Sequence, residues 1–176
     1  MFLVSIGVAY AADGDVLWER SYNVSGYDEA YGVATDSQNN VIVTGSSNGN
    51  YCTIKYDPNG NIIWERSYAV GDYGCALDVA TDSQNNVIVT GTSKDNYYTI
   101  KYDPNGNVLW AKSYNSGNID LANGVATDSQ NNVIVTGYSS NGSNHNYYTI
   151  KYQGPTRNKS LPIAQILKIL GLYSKE

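Results

Sequence analysis

The sequence predicts an all-β protein, and three observations lead to this prediction. The 176 residues include 17 Tyr, 17 Gly and 3 Trp, but only 1 Phe and 1 Met. Tyrosine, threonine and valine favour strands, and glycine and asparagine favour turns. The chain also lacks the run of about 18 apolar residues that a membrane-spanning helix needs. Finally, short strand-like segments return at a constant interval. This composition excludes a helical bundle.

The charge distribution excludes one class of partner. Residues 1–153 carry 15 acidic and 7 basic side chains, and the whole chain has a formal net charge of −5 at pH 7. Because such a surface repels phosphate groups, nucleic-acid binding is not expected. The two cysteines, Cys52 and Cys75, are too few for a disulfide framework or a four-cysteine zinc site.

The chain is organised as an internal repeat of 46 residues. The segment TDSQNNVIVTG occurs three times without a change, and a tryptophan recurs at the same interval. A period of 20–50 residues is typical of solenoids, arrays and propellers. The three segments begin at Thr35, Thr81 and Thr127, and the tryptophans are Trp18, Trp64 and Trp110.

Each repeat contains four short segments that favour β structure, named here strands A to D. In the first full repeat they are Tyr31–Thr35, Val41–Thr44, Tyr51–Tyr56 and Ile62–Tyr68. The sequence DPNG between C and D is typical of a type I turn followed by a left-handed glycine. Four antiparallel strands in about 46 residues are typical of one β-propeller blade.

Three blades make an incomplete ring, since propellers close with about 4–8 blades. The chain begins with an unpaired D strand, Val16–Tyr22, and ends after the C strand Tyr147–Tyr152. We therefore expect either additional blades from a longer parent chain or self-association, in which two copies make six blades and exchange the unpaired strand. The predicted propeller domain spans 12–153, with repeats 12–57, 58–103 and 104–153.

Both ends of the chain differ from the repeats. Residues 1–11 have two interpretations, a secretory signal remnant or a degenerate C strand over Ser5–Tyr10. Residues 154–176 are predicted to form a linker and a short amphipathic helix from Ser160, which either packs on the domain or contacts a partner or a membrane surface.

The motifs GNVLW, GVATDSQNNVIVTG and YTIKYDPNG resemble the SBBP family of β-propeller repeats, and in outline they are similar to NHL repeats. A weaker resemblance is to quinoprotein blades, but Asp57, Gly60 and Trp64 stand one residue too close for that motif. The SBBP resemblance implies a bacterial or archaeal extracytoplasmic protein, secreted or on the cell surface. It implies no common activity and transfers no catalytic residue.

The recurring residues are assigned structural roles. We expect Trp18, Trp64 and Trp110 to pack between blades, and Gly60 and Gly106 to supply the left-handed turn residue. The recurring turn aspartates are expected to cap their own backbone. Calcium bound by Asp57, Asn59 and Asn61 is the alternative, but the loop lacks EF-hand spacing. No metal or cofactor is predicted.

No catalytic constellation is recognised, because the single histidine, His145, has no recurring nucleophile beside it. We therefore predict a non-catalytic module that serves as a binding or structural scaffold for a protein or carbohydrate ligand. The alternatives are a propeller enzyme, such as a polysaccharide lyase or hydrolase or a quinoprotein, and a fragment of a larger surface protein. Loops B–C and D–A vary between repeats, and variable loops on a rigid scaffold are where binding usually resides. The candidate ligand-binding residues are Tyr27, Asp28, Asp72, Tyr73, Asp120, Tyr138 and His145.

Overall fold

A computed structural model describes residues 12–155, with the exception of positions 25 and 72. These residues form 11 antiparallel strands in three sheets. Sheet 1 contains β1 (Asp28–Thr35), β2 (Val41–Ser47), β3 (Asn50–Tyr56) and β4 (Ile62–Tyr68). Sheet 2 contains β5 (Cys75–Thr81), β6 (Val87–Ser93), β7 (Asn96–Tyr102) and β8 (Val108–Tyr114), and sheet 3 contains β9 (Asp120–Thr127), β10 (Val133–Ser140) and β11 (His145–Tyr152).

The predicted all-β class is confirmed, and within each sheet every strand pairs with the next one along the chain. Strand A begins at Asp28, earlier than predicted, because a register shift between Ala30 and Gly32 lets it continue along β2. The three sheets do not close into a ring within the described residues. Nor does that part of the chain contain a helix long and apolar enough to cross a membrane.

Three predicted segments are not found as predicted or lie outside the described residues. Residues 16–22 form no strand, although they lie against sheet 1 as described below. The degenerate C strand over Ser5–Tyr10 lies outside the described residues, as does the predicted C-terminal helix.

The hairpin turns follow from the repeated turn residues. The carboxylate of Asp57 accepts hydrogen bonds from the Asn59 and Asn61 backbone amides at 2.9 and 2.8 Å. Gly60 then takes a φ of +78°, a left-handed conformation that glycine adopts without steric cost. Asp103 and Gly106 make the same turn in sheet 2, where Gly106 has a φ of +80°.

The sheets stack face to face, with their first strands side by side. Strand β5 contacts β1 to β3 of sheet 1, and β9 contacts β5 to β7 of sheet 2. One apolar cluster fills the space between sheets 1 and 2 and includes Ile42, Tyr51, Val79 and Ile100. A second cluster, with Ile88, Tyr97 and Val135, fills the space between sheets 2 and 3. Each sheet therefore completes its core on the neighbouring sheet.

The recurring tryptophan docks the last strand of one sheet onto the next sheet. Trp64 of β4 is 5% exposed, and its indole Nε1 donates to the Pro104 carbonyl at 2.9 Å. Its ring lies 5.9 Å from the ring of Tyr102. Arg66 Nε donates to the Gly106 carbonyl at 2.7 Å. A Cβ at Gly106 would lie 2.9 Å from the Trp64 ring, so the glycine also provides the space that the indole occupies.

The segment 16–22 makes the same contacts with sheet 1. Trp18 Nε1 donates to the Pro58 carbonyl at 3.1 Å, and its ring lies 5.7 Å from that of Tyr56. Arg20 Nε donates to the Gly60 carbonyl at 2.8 Å. The segment therefore holds the position of a D strand over the following sheet, without a described strand beside it.

Each sheet contains an ion pair between a lysine and an aspartate. Lys101 Nζ lies 2.7 Å from Asp82 Oδ2, and both side chains are almost fully buried. Burial raises the pKa of the Asp82 carboxyl, but hydrogen bonds from Lys101, Asn86 and backbone amides outweigh it and lower the pKa below its usual value. Lys55 and Asp36 repeat this buried pair in sheet 1 at 2.8 Å.

Trp64→Ala is expected to lower the free energy of unfolding by about 3–5 kcal/mol, because it empties a large aromatic site between two sheets. Urea unfolding followed by circular dichroism measures this change. The matched control is Leu109→Ala, whose side chain is 52% exposed and should cost below about 1 kcal/mol. Equal effects of the two substitutions would contradict the docking role.

Lys101→Met should lower the free energy of unfolding by about 3–5 kcal/mol, because the buried Asp82 carboxylate then has no cationic partner. Lys151→Met in sheet 3 is the matched control at a protein concentration where the chain is monomeric, since Lys151 makes the same 2.7 Å pair with Asp128 but keeps 56% of its side chain exposed within one chain. An exposed pair contributes about 0–1 kcal/mol. If both lysines cost the same in urea unfolding, burial does not set the strength of the pair.

Candidate functional site

The B–C hairpins and the D–A connections meet at one end of the stacked sheets. Asn48 and Gly49 join β2 to β3, with φ values of +49° and +75°, as the two-residue type I′ turn requires. The Asn48 amide donates to the Tyr27 carbonyl, and the Gly74 amide donates to the Gly49 carbonyl at 2.7 Å. These backbone hydrogen bonds fix the hairpin of sheet 1 between two successive D–A connections.

Between these loops lies an open groove of about 680 Å³, named here the tyrosine groove. It is defined by Tyr27, Glu29, Tyr31, Asn48, Asn50 and Tyr73. Tyr27 and Tyr73 are each 88% exposed, and Tyr31 is 50% exposed. Because exposed aromatic rings on fixed loops are unusual for packing residues, the groove is the candidate binding site.

The backbone of Tyr73 is also unusual, because its φ is +62°. The left-handed region is strained for a bulky side chain and is held only where the surroundings impose it. Here the adjacent Gly74 amide is bonded to the first-sheet hairpin. The exposed ring of Tyr73 is therefore presented by a constrained loop.

Glu29 is the one charged side chain among the described residues that line the tyrosine groove. It accepts a hydrogen bond from the Tyr31 hydroxyl, and this bond, with a smaller contribution from burial, raises the pKa of Tyr31 to about 12. Burial raises the pKa of the Cys75 thiol, and the Glu29 charge adds to that shift. At neutral pH the groove therefore presents neutral hydroxyls, a neutral thiol, amides and one carboxylate.

The structure brings together only some of the predicted ligand-binding residues. Tyr27 and Tyr73 line the tyrosine groove. Asp28 does not line it: it lines a cavity of about 210 Å³ beneath residues 18–22, and its Oδ2 accepts from the Val24 amide at 3.0 Å. Asp72 lies outside the described residues.

Asp120 is fully buried, with 0% exposure. Its role is therefore to hold the loop, and it is not available to a ligand. Its carboxylate accepts hydrogen bonds from the Ser116 amide at 2.7 Å and the Ser116 hydroxyl at 2.9 Å. Tyr138 and His145 stack on each other in sheet 3, with ring centroids 4.3 Å apart, and neither lines the groove.

The predicted ligand-binding residues omit four groove residues, Glu29, Tyr31, Asn48 and Asn50, although Glu29, Asn48 and Asn50 fall within the variable segments 23–29 and 46–50. Tyr31 belongs to strand A in the prediction and in the structure, and side chains of a strand are expected to pack. The signal that marks it is a departure from the repeat, because the equivalent positions are Leu77 and Asn123. Non-repeated side chains within strands deserve the same weight as those within variable loops.

The recurring turn aspartates use their oxygens within the turns. Asp57 Oδ1 accepts from two backbone amides, and Oδ2 accepts from Asn61 Nδ2 at 2.9 Å. The part of the chain that the structure describes contains no group of three or more His, Cys, Asp or Glu side chains arranged to hold a metal ion.

The equivalent position between sheets 2 and 3 has a groove of different character. It is lined by Lys94, Asp95, Asn118 and Ile119, among others, and has a volume of about 450 Å³. Ile119 stands where the repeat has Tyr27 and Tyr73. The aromatic surface is therefore a property of one groove.

Comparison with known proteins adds no relative: no protein-family model and no curated protein matches the chain.

Asp120→Ala is expected to lower the free energy of unfolding by about 1.5–3 kcal/mol, because it removes two hydrogen bonds to a buried carboxylate. Asp28→Ala is the matched control, since the equivalent aspartate accepts one backbone hydrogen bond from Val24 and should cost less. Urea unfolding midpoints compare the two variants. An Asp120→Ala protein as stable as the native chain would contradict the structural role.

Proposed function

We propose that this chain is a non-catalytic, extracytoplasmic β-propeller module that binds an uncharged carbohydrate chain in the tyrosine groove. The observation that carries the proposal is the presence of three exposed tyrosines in one groove, Tyr27 and Tyr73 on loops and Tyr31 on β1. The extracytoplasmic location rests on the resemblance of the repeats to the SBBP family.

The propeller part of the proposal is supported by how the sheets stack. Their first strands, β1, β5 and β9, follow one another side by side, and each sheet packs its face on the next. This is the arrangement expected of propeller blades around an axis, in which the first strand of each blade is innermost. The proposed module is therefore part of a ring, with the groove at the end where the variable loops lie.

The chemistry of the groove supports a neutral, polyhydroxylated ligand. Aromatic rings pack against the C–H faces of sugar rings, and the amides of Asn48 and Asn50 offer donors and acceptors to hydroxyl groups. Glu29 disfavours an anionic ligand by repulsion. The open shape of the groove suits a chain that lies across it, with aromatic anchors at Tyr27 and Tyr73.

Isothermal titration calorimetry with neutral hexasaccharides of glucose, xylose and N-acetylglucosamine tests the proposal. We expect one of them to bind, and Tyr27→Ala and Tyr73→Ala each to weaken binding about tenfold, the loss of roughly 1.4 kcal/mol. Tyr27→Phe should retain most of the affinity if stacking dominates and the hydroxyl does not.

Tyr138→Ala, outside the groove, is the matched control and should leave the affinity unchanged. Equal losses at Tyr138 and Tyr73 would show that the sugar binds elsewhere. Binding only of uronic-acid oligosaccharides or of peptides would overturn the proposed ligand class. Release of shorter sugars or unsaturated products during the titration would favour the enzyme alternative.

A further inference from the structure

One hexapeptide, YYTIKY, occurs in two environments. In sheet 2 it begins at Tyr97, which is 1% exposed, and in sheet 3 it begins at Tyr147, which is 98% exposed. Tyr51 begins the related segment of sheet 1 and is also 1% exposed. The difference is the neighbouring sheet: the Tyr51 hydroxyl donates to the Tyr98 carbonyl and the Tyr97 hydroxyl to the Tyr148 carbonyl, each at 3.0 Å.

The same face of sheet 3 exposes polar residues whose equivalents in sheet 2 are buried. Thr90 and Thr99 bond to each other at 2.8 Å, and both are fully buried between sheets 2 and 3. Thr136 and Thr149 form the same pair at 2.9 Å in sheet 3, where both are exposed. Sheet 3 therefore carries the residues of a buried sheet-to-sheet interface on an open face.

The opposite face of sheet 1 is open in a matching way. Val79 of sheet 2 is 5% exposed because sheet 1 covers it, whereas the equivalent Val33 of sheet 1 is 69% exposed. Beside it, Val43, Ile54 and Tyr56 line the cavity of about 210 Å³ beneath residues 18–22. The outer face of sheet 1 and the outer face of sheet 3 therefore carry the two halves of the interface that joins neighbouring sheets inside the stack.

The strand edges also complement each other: residues 16–22 and β11 each have an unpaired edge among the described strands. Strands β4 and β8 each lie on the following sheet and pair with the last strand but one of their own sheet. Residues 16–22 lie on sheet 1 but pair with no described strand, and among the described residues β11 has no neighbour of the kind that β4 is to β3 and β8 is to β7. An unpaired strand edge is a site for pairing with another chain.

From this continuity we propose that a second copy of the chain seats its sheet 1 on the open face of sheet 3, and that its residues 16–22 become the fourth strand of that sheet. The internal registers, Tyr97 opposite Tyr114 and Lys101 opposite Trp110, place Tyr147 opposite Tyr22 and Lys151 opposite Trp18 of the second copy. The Tyr147 hydroxyl then donates to the Cys52 carbonyl of the second copy.

The interface is head-to-tail, so its rotation decides whether the copies close. Two copies supply six of the described sheets, and six lies within the usual range of 4–8 blades. The number of copies rests on the propeller proposed above, whereas the interface rests only on the observed sheet-to-sheet contacts. The proposed assembly is a closed dimer with each third sheet completed by the partner.

Sedimentation equilibrium of the full chain gives the first test. We expect a mass of twice 19.2 kDa, and Tyr147→Ala should raise the dimer dissociation constant at least about tenfold, as for a buried aromatic interface residue. Leu109→Ala, exposed at the outer edge of sheet 2, is the control and should leave the constant unchanged.

A disulfide designed from the register gives the second test. In sheet 1, Cys52 lies opposite Ser67, and the equivalent position of β11 is Tyr148, which the register places opposite Ser21 of the second copy. Tyr148→Cys with Ser21→Cys, in a background of Cys52→Ala and Cys75→Ala, should give a covalent dimer on mild oxidation. Ser67→Cys with native Cys52, in a Cys75→Ala background, is the internal control and should give a cross-linked monomer.

The outcomes separate the alternatives. A monomer that stays monomeric at high concentration overturns the proposal, as does a dimer that Tyr147→Ala leaves intact. Open filaments that depend on Tyr147 overturn the closed ring, and with it the six-blade propeller, without bearing on sugar binding at the groove. A covalent dimer formed equally well by Tyr148→Cys without Ser21→Cys overturns the proposed register.

Discussion

Each sheet of this protein depends on its neighbour, because a single antiparallel sheet cannot bury an apolar face by itself. The contact that joins neighbours is the tryptophan of one repeat on the hairpin of the next. Trp64 fills the space left by Gly106 and bonds to the Pro104 carbonyl, while Arg66 bonds to the Gly106 carbonyl. One turn sequence, DPNG, thus serves two purposes: it reverses the chain and it accepts the preceding repeat.

The core of the stacked sheets contains buried polar and charged side chains as well as apolar ones. The buried threonine pairs join strands B and C, and the buried Lys–Asp pairs join strand C to the turn between strands A and B. A buried ion pair contributes little net stability compared with apolar packing, but loss of one partner is costly. Asp82 also caps its own turn through the Gln84 and Asn86 amides. The pair therefore fixes the turn between strands A and B relative to strand C, which favours one arrangement of each sheet.

Invariant and variable residues divide between the two ends of the stack. The turns at one end are held by repeated aspartates, and the loops at the other end differ between repeats. The tyrosine groove lies at the variable end, on the same scaffold that the repeats hold rigid. A second groove in the equivalent position has Ile119 in place of a tyrosine, so similar scaffolds carry different surfaces. The side chains that distinguish the two grooves are ones that depart from the repeat.

The sequence by itself determined the elements: the 46-residue period, four strands in each full repeat, and the left-handed glycines at Gly60 and Gly106, because these depend on turn chemistry and alternation within one repeat. It located Tyr27 and Tyr73 for the same reason, as variable loop residues. The tertiary structure alone decided that Asp120 is buried, that Tyr31 and Glu29 join the groove, and that Lys101 meets Asp82. It also decided that Tyr97 is buried while Tyr147, in an identical hexapeptide, is exposed. Burial and pairing depend on which sheet lies opposite, and that neighbour is set by packing between repeats, which no local pattern encodes.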